Sequence, residues 1–351
     1  MARLFSIDPD IRRAETPPGW LYSDAEVFEQ QRDAVFAPSW QLALDAHRLP
    51  AAGTVAPCVF LEGILPEPLA ITRDEGDHWH ALSNVCTHRA NLVVEVDAAV
   101  PVLRCRYHGR RFGLDGRFRS MPEFEQAEGF PTAADDLPRV ALGRWSRLVF
   151  TALAPAIPFE EWVAPLATRV GGMTIDHAAF DPTRSRDYDI AANWALYVDN
   201  YLEGFHIPYV HSSLNAAIDY GSYSTEALPH GVLQVGHARG EVAAYYLWLW
   251  PNLMFNVYPW GFSVNVVKPI AVDRTRVSFL TWVVDPSRLD QGAGAGLDGV
   301  ELEDEAVVQG VMQGTRARLY GRGRYSPTRE VGVHRFHRLL AAALGGAEPE
   351  S

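Results

Sequence analysis

Apolar positions change their period along this chain, and the changes divide it. Between Tyr22 and Phe36, Val27, Phe28, Gln31 and Val35 recur at helical spacing behind Ser23-Asp24, side chains of the kind that cap a helix start. From Trp40 to about Pro155 the period drops to short β-like runs: Thr54-Val55, Val59-Phe60-Leu61, Leu69-Ala70-Ile71-Thr72 and Trp79-His80-Ala81-Leu82. Gly76-Asp77 and Asp115-Gly116 supply hairpin turns between such runs, and Ala154-Pro155-Ala156-Ile157-Pro158 reads as an exit linker. Beyond it the text mixes classes. The spacing predicts a helix from Asn193 to Tyr209 with a stop at Pro208. Strands are predicted over Ala243 to Trp250, Met254 to Tyr258, Phe262 to Val267 and Arg276 to Val284. Further helices are predicted over Glu301 to Tyr320, behind the Gly-rich loop Gln291 to Gly296, and over Val331 to Ala343. The pattern is that of a small all-β unit followed by an α+β unit, a twisted antiparallel sheet flanked by helices.

Composition narrows the function classes. A chain of 351 residues accommodates two domains, and 48% hydrophobic with 21% charged residues is ordinary for a globular protein. No run approaches the ~20 apolar residues of a membrane span, and the first sixteen residues hold no apolar signal core. A net charge of −12, from 31 basic against 43 acidic residues, argues against nucleic acid as a partner. Three cysteines do not make a disulfide framework, which suits a reducing cytoplasm, the location expected here.

Two of those cysteines carry the main chemical signal. Cys86-Thr87-His88 and Cys105-Arg106-Tyr107-His108 each present one thiol and one imidazole on a short segment, with sixteen residues between His88 and Cys105. A Rieske-type [2Fe–2S] cluster needs two Cys on one iron and two His on the other. CxH followed by CxxH supplies one ligand of each kind from each half. A Cys2His2 zinc site is the alternative, but it groups its ligands as CxxC and HxxxH rather than interleaving them. A second constellation follows in Asp199-Asn200-Tyr201-Leu202-Glu203-Gly204-Phe205-His206-Ile207-Pro208-Tyr209-Val210-His211. His206 and His211 diverge on an ideal helix, but a helix broken near Pro208 lets them converge. Two imidazoles and one carboxylate with open positions form the facial triad of non-haem Fe(II) oxygenases.

Together these motifs resemble the catalytic (alpha) subunit of the Rieske non-haem iron oxygenases, the ring-hydroxylating oxygenase family, over about Trp20 to Leu340. The resemblance implies an N-terminal helical segment (1–38) packing with the catalytic domain, an all-β Rieske [2Fe–2S] domain (39–154) and a helix-grip catalytic domain (155–351). It implies cluster ligands Cys86, His88, Cys105 and His108 and iron ligands His206 and His211. The third ligand is expected to be Asp304 at a helix start, in a stretch that also holds Glu301, Glu303 and Glu305. The family often has Gln eight residues beyond its Asp; here that place is Met312, with Gln313 beside it, so the register stays open by one residue.

Many family members have Asp three residues before the first iron His, bridging to a Rieske His of the neighbouring subunit; this chain has Glu203 there. Glu203, with the Asn193-Trp194 opening, resembles the branch acting on quaternary ammonium compounds such as carnitine and choline. Tyr245, Tyr246, Trp248, Trp250, Phe255, Tyr258 and Trp260 are then candidates for an aromatic box around a cation. By resemblance the chain is an O2-using monooxygenase or dioxygenase that hydroxylates, demethylates or dihydroxylates a small organic substrate, and it is expected to be a homotrimer. Electrons come from NAD(P)H through a separate reductase or ferredoxin, and no GxGxxG fingerprint stands beside a βαβ unit here. They pass from the cluster through His88 or His108, Glu203 and His206. The competing functions are a Rieske electron carrier without oxygenase activity and a noncatalytic homologue.

Overall fold

The computed structural model describes residues 3–170 and 175–346. Two compact units emerge: Ala37–Phe159, and the preceding N-terminal segment together with the chain from Glu160 onward. Among the described residues no helix is long and apolar enough to cross a membrane.

The unit Ala37–Phe159 is all β. A seven-stranded antiparallel sheet runs, in spatial order, Gln41–Asp45, Leu148–Ala152, Arg139–Trp145, Trp79–Ser83, Leu65–Arg73, Thr54–Leu61 and Ala98–Ala99. A small three-stranded sheet, Leu103–Arg104, Arg111–Phe112 and Phe118–Ser120, stands beside it. Cys86 to His88 follow the strand Trp79–Ser83, and Cys105 to His108 form the tip between Leu103–Arg104 and Arg111–Phe112. Beneath both loops Val55, Leu82, Leu103, Phe112, Leu114 and Leu137 form the core that receives the two thiols. Arg110, almost fully buried, is ion-paired to Asp135 at 2.6 Å and lies 5.1–5.7 Å from the ring centroids of Phe112, Phe118 and Phe130. That pairing holds a charge which burial alone would exclude.

The other unit is built on an antiparallel sheet in the order Ala179–Phe180, Arg274–Val283, Gly261–Ala271, Leu253–Tyr258, Glu241–Leu249, Gly231–Ala238 and Ser224–Leu228; Arg186–Ile190 also pairs with Arg274–Val283. The helices Trp194–Tyr201 and Val331–Ala343 pack on it, and Leu297–Thr315 packs on Trp194–Tyr201. The N-terminal segment contributes Gln31, whose Oε1 accepts from Trp194 Nε1 at 2.7 Å, and Phe36, whose ring meets Trp194 edge-on at 4.9 Å.

Several boundaries differ from those the periodicity predicts. Asp24 does cap its helix, accepting from the backbone of Glu26 and Val27, but the α-helix covers only Ala25–Gln31 and continues as a π-turn, Arg32–Phe36. The helix opening at Asn193 ends at Tyr201, not Tyr209, and Pro208 sits in the first turn of a new short helix, Ile207–Val210. An N–H is unneeded at that position, so Pro there is tolerated rather than terminating. The long acidic helix begins at Leu297, a turn earlier than expected. Left-handed Gly296 (φ 63°) ends the preceding loop, and Asp298 is held by Arg186 (2.6 Å) and Tyr188 (2.7 Å). It stops at Thr315, where the backbone of Gly19 lies against the Thr315 carbonyl. The strands Arg186–Ile190, Ser224–Leu228 and Gly231–Ala238 and the helix Phe159–Val170 escaped the pattern; the helix carries an internal Pro165.

Candidate metal centres and cavity

The two cysteine-bearing loops are built alike. Ala90 N–H bonds to Cys86 O at 2.9 Å and Gly109 N–H to Cys105 O at 3.0 Å, so each loop closes over four residues. The closing residue has positive φ in both, 53° at Ala90 and 76° at Gly109. This tight return buries Cys86 and Cys105 in the core and brings His88 and His108 together, ring centroids 4.8 Å apart at 70°. Thr87 Oγ1 ties its loop to Asp135 O at 2.8 Å, and Asn91 Nδ2 lies 3.8 Å from Cys105 Sγ. Paired thiols on the core side and paired imidazoles beside each other fit a cluster with two S and two N ligands. Cys58, the third cysteine, has its thiol pushed up to about 12 by burial and is not part of this group.

The second centre comes from a broken helix. After Tyr201 the chain turns through Leu202 to Phe205, where a Cβ on Gly204 would sit 2.6 Å from the Tyr223 ring. The Glu203 carboxylate accepts from the backbone N–H of Phe205 and, at 3.0 Å, from that of His206, so it acts as the cap of the next turn. Its other oxygen lies 2.6 Å from His206 Nδ1. His211, buried, has its Nδ1 2.7 Å from Glu303 Oε2. Asp304 Oδ1 stands 3.0 Å from His211 Nε2 and 3.5 Å from His206 Nε2. Among the described residues, His206, His211 and Asp304 are the one group of three or more metal-ligating side chains whose donor atoms all lie within 4.8 Å of one another.

This arrangement calls for a cation. A carboxylate only accepts, so Glu203 and Glu303 hold the proton of each imidazole on Nδ1. Both Nε2 lone pairs then point at a carboxylate oxygen with no proton between them, a repulsive set unless a metal ion sits at the centre. Two ligands about 2.1 Å from an octahedral ion and at right angles lie about 3.0 Å apart, close to what is seen. Imidazole and carboxylate together suit iron, with the remaining positions open. In the sequence Glu303 is visible only as a neighbour of Asp304; its place on His211 follows from its position one residue earlier on the helix. Glu303→Gln is expected to weaken iron binding at this centre roughly tenfold, the low end for such orienting partners because Glu303 is partly exposed. Iron titration of stripped protein with the cluster absorbance as internal control measures it.

The inward stripe of the helix Leu297–Thr315 carries Glu301, Asp304, Val308 and Met312. Met312 is buried and Gln313 exposed, so no glutamine side chain follows Asp304 along that stripe. Beside the triad lies a cavity of about 110 Å³, enough for several waters or a small organic molecule. Of the seven aromatic residues proposed for it, only Tyr246 and Tyr258 line its wall. Strand alternation sends Tyr245 and Phe255 to the other face. Trp248 shares the face of Tyr246 but lies farther along, where it packs on Phe336 of the C-terminal helix, as does Trp250. Trp260 stacks on Tyr258 from behind at 5.1 Å. The rest of the aromatic wall is Tyr197, Tyr201, Tyr223 and Phe279. Its floor is polar: Tyr201 Oη donates to Asn256 Oδ1 at 2.9 Å, and Asn256 Nδ2 donates to Ser263 Oγ and Asn265 Oδ1. Buried Asn256, Ser263 and Asn265 at alternating places in otherwise apolar strands are the sequence signal that marks this face.

Comparison with known proteins accords with both halves. Residues 39–132 match the Rieske [2Fe-2S] domain, and residues 178–239 and 232–346 match the catalytic domain of the ring hydroxylating alpha subunit. The chain is 29% identical to the chloroplastic choline monooxygenase of Arabidopsis thaliana, over 95% of this chain and 84% of that protein. It is 28% identical to the carnitine monooxygenase oxygenase subunit of Escherichia coli K12, over 94% of each. The structure of a quaternary ammonium Rieske monooxygenase, described in terms of carnitine oxidation and inter-subunit electron transfer, superposes with a TM-score of 0.79 at 23% identity, covering 97% of this chain and 100% of that one. The two domains imply a Rieske [2Fe–2S] cluster and a mononuclear iron, and a catalytic domain is present where a pure electron carrier has none. The chain belongs to the Rieske non-haem iron oxygenases, as an oxygenase alpha subunit.

Proposed function

We propose that this protein is a monooxygenase of a small quaternary ammonium compound, in the manner of the choline and carnitine enzymes it is similar to. The observation that carries this reading is the cavity wall: five tyrosines, the carboxyls of Glu203, Glu301 and Asp304 and, among the described residues, no lysine or arginine. The carboxylates of Glu203 and Asp304 balance one divalent iron, and the buried Glu301 adds a third acid that a cation in the cavity draws into its charged form. Each tyrosine face adds roughly 0.5–2 kcal/mol for a cation within reach. A trimethylammonium group donates no hydrogen bond, which suits a wall of ring faces.

In this reading Cys86, Cys105, His88 and His108 hold the cluster, and His206, His211 and Asp304 hold the iron. The cluster supplies electrons one at a time and the iron supplies O2 activation. The chain's own residues do the positioning. Glu203 and Glu303 fix both imidazole tautomers so that each Nε2 faces the centre. Tyr201, Asn256, Ser263 and Asn265 keep the polar floor internally bonded, so that it makes few demands on an apolar cationic head. Glu203, hydrogen-bonded to His206 Nδ1, is the carboxylate proposed to couple the iron to the Rieske histidine of a neighbouring subunit in a homotrimer. A separate NAD(P)H-dependent reductase or ferredoxin serves as electron donor.

The test is O2 consumption with a surrogate reductase over a panel of choline, carnitine, γ-butyrobetaine and aromatic acids. A trimethylammonium compound is expected to stimulate uptake and be oxidised in proportion. Stimulation by an aromatic acid and by no quaternary ammonium compound would overturn the assignment.

A further inference from the structure

We infer that Glu301 is the anionic anchor that makes the cavity select a positively charged substrate head over a neutral one of the same shape. The inference rests on the quaternary ammonium reading above and adds the residue that sets the selectivity. Three carboxyl groups line the cavity, and two are already committed. Asp304 Oδ1 lies between the two Nε2 atoms, and Glu203 accepts two backbone N–H groups and faces His206 Nδ1. Glu301 is different. It is 5% exposed, its Oε2 accepts from Tyr197 Oη at 2.8 Å, and its Oε1 is buried without any hydrogen-bond partner.

A buried carboxyl with one orphan oxygen costs stability unless a ligand compensates it. Burial pushes the Glu301 carboxyl up to about 8, and the nearby Asp304 and Glu305 add to the effect. The carboxyl is thus largely protonated at neutral pH while the cavity holds no cation, and a cation seated against Oε1, which has no hydrogen-bond partner among the described residues, draws it into its charged form. A hydrogen-bonding ligand could satisfy Oε1 by donation. A quaternary ammonium satisfies it by charge alone, through polarised methyl groups, and needs no donor geometry. The Tyr197 bond holds Oε2 and thereby fixes the direction of Oε1. Glu301 stands three residues before Asp304 on the inward stripe of the same helix, so helical geometry places the anchor next to the metal centre. A cation head seated there would have its methyl groups and neighbouring carbons close to the iron.

The experiment uses the iron-loaded, cluster-containing protein as wild type, Glu301→Gln and Glu301→Asp. Tetramethylammonium binding is followed by calorimetry. KM and kcat are measured for the best trimethylammonium substrate, and dissociation constants for its neutral tert-butyl isostere. Glu301→Gln is expected to weaken tetramethylammonium binding and raise KM roughly ten- to hundredfold, to leave isostere affinity within about twofold, and to change kcat little. Glu301→Asp, which keeps the charge, is expected to recover part of the loss. Equal tetramethylammonium affinity in wild type and Glu301→Gln overturns the anchor role and leaves the proposed function intact. A wild type that binds neither tetramethylammonium nor any trimethylammonium compound overturns the proposed function itself, and the anchor with it. Parallel loss of cation and isostere affinity in Glu301→Gln shows a structural role instead and also overturns the inference. Should that variant lose iron, Glu301→Met applies the same neutralisation with the same decisive outcomes.

Discussion

Asp304→Ala should yield a protein that keeps its cluster absorbance, contains two irons per chain instead of three, and loses substrate-dependent O2 uptake by roughly a thousandfold or more. Asp304 Oδ1 lies 3.0 Å from His211 Nε2 and 3.5 Å from His206 Nε2, facing both imidazoles. Its neighbours do other work: Glu303 reaches around to His211 Nδ1, and Glu301 bonds Tyr197. Removing Asp304 leaves two neutral imidazoles, which bind divalent iron far less firmly than a set with a carboxylate. The cluster lies in the other compact unit and should not respond. Metal analysis on purified protein, with the visible spectrum recorded on the same sample, decides the matter. Three irons per chain with undiminished uptake would mean that another acid holds the iron.

Glu203→Ala is the second large effect expected, and its signature differs. Both metal centres should remain loaded when iron is in excess, because neither set of donor atoms includes Glu203, although iron affinity falls as it does for Glu303→Gln. Turnover should nevertheless fall by about a hundredfold or more. The substitution frees His206 Nδ1 and uncaps the turn before it, and orienting carboxylates on a ligand histidine typically matter by 10–100-fold even without a coupling role. A rapid-mixing experiment separates coupling from simple misplacement. Protein with a chemically reduced cluster is mixed with substrate and O2, and cluster reoxidation is followed by its absorbance. In Glu203→Ala that step should be slow while iron content is normal. Glu203→Asp should restore part of the rate, since the carboxylate remains one methylene shorter. Normal reoxidation in the alanine variant would remove Glu203 from the path.

The linear text carries much of this. Metal ligands announce themselves locally when their spacing is short, because a loop of three or four residues can point two side chains at one centre by itself. The candidate ligands in Cys86-Thr87-His88, in Cys105 to His108, and in His206 with His211 are of that kind. The C-terminal helix Val331–Ala343 is likewise legible, since its buried stripe runs from Gly332 to Ala341. The break after Tyr201 is not legible because Pro208 is the visible helix breaker, whereas the operative feature is a side chain, Glu203, folding back to cap the N–H groups of Phe205 and His206. Nothing in local propensity separates a glutamate that caps from one that decorates.

The aromatic wall shows the same limit more sharply. Tyr and Trp in strands are equally at home in a core and in a cavity, and alternation only halves the candidates. Trp248 and Tyr246 share a face, yet the C-terminal helix covers the first and the cavity takes the second. Tyr197 and Tyr201 reach the wall from a helix, and Tyr223 from the loop before a strand. By itself, then, the sequence determined the chemistry: two Cys, two His, and a His pair beside a carboxylate fix which ions can be held, because ligand type and short-range spacing are local properties. Tertiary structure alone decided which of Glu301, Glu303, Asp304 and Glu305 faces the imidazoles, which tautomer each imidazole keeps, and that Glu301 keeps one buried oxygen without a hydrogen-bond partner among the described residues. Those outcomes depend on how a helix some ninety residues downstream is rotated against His206 and His211, and only long-range packing sets that angle.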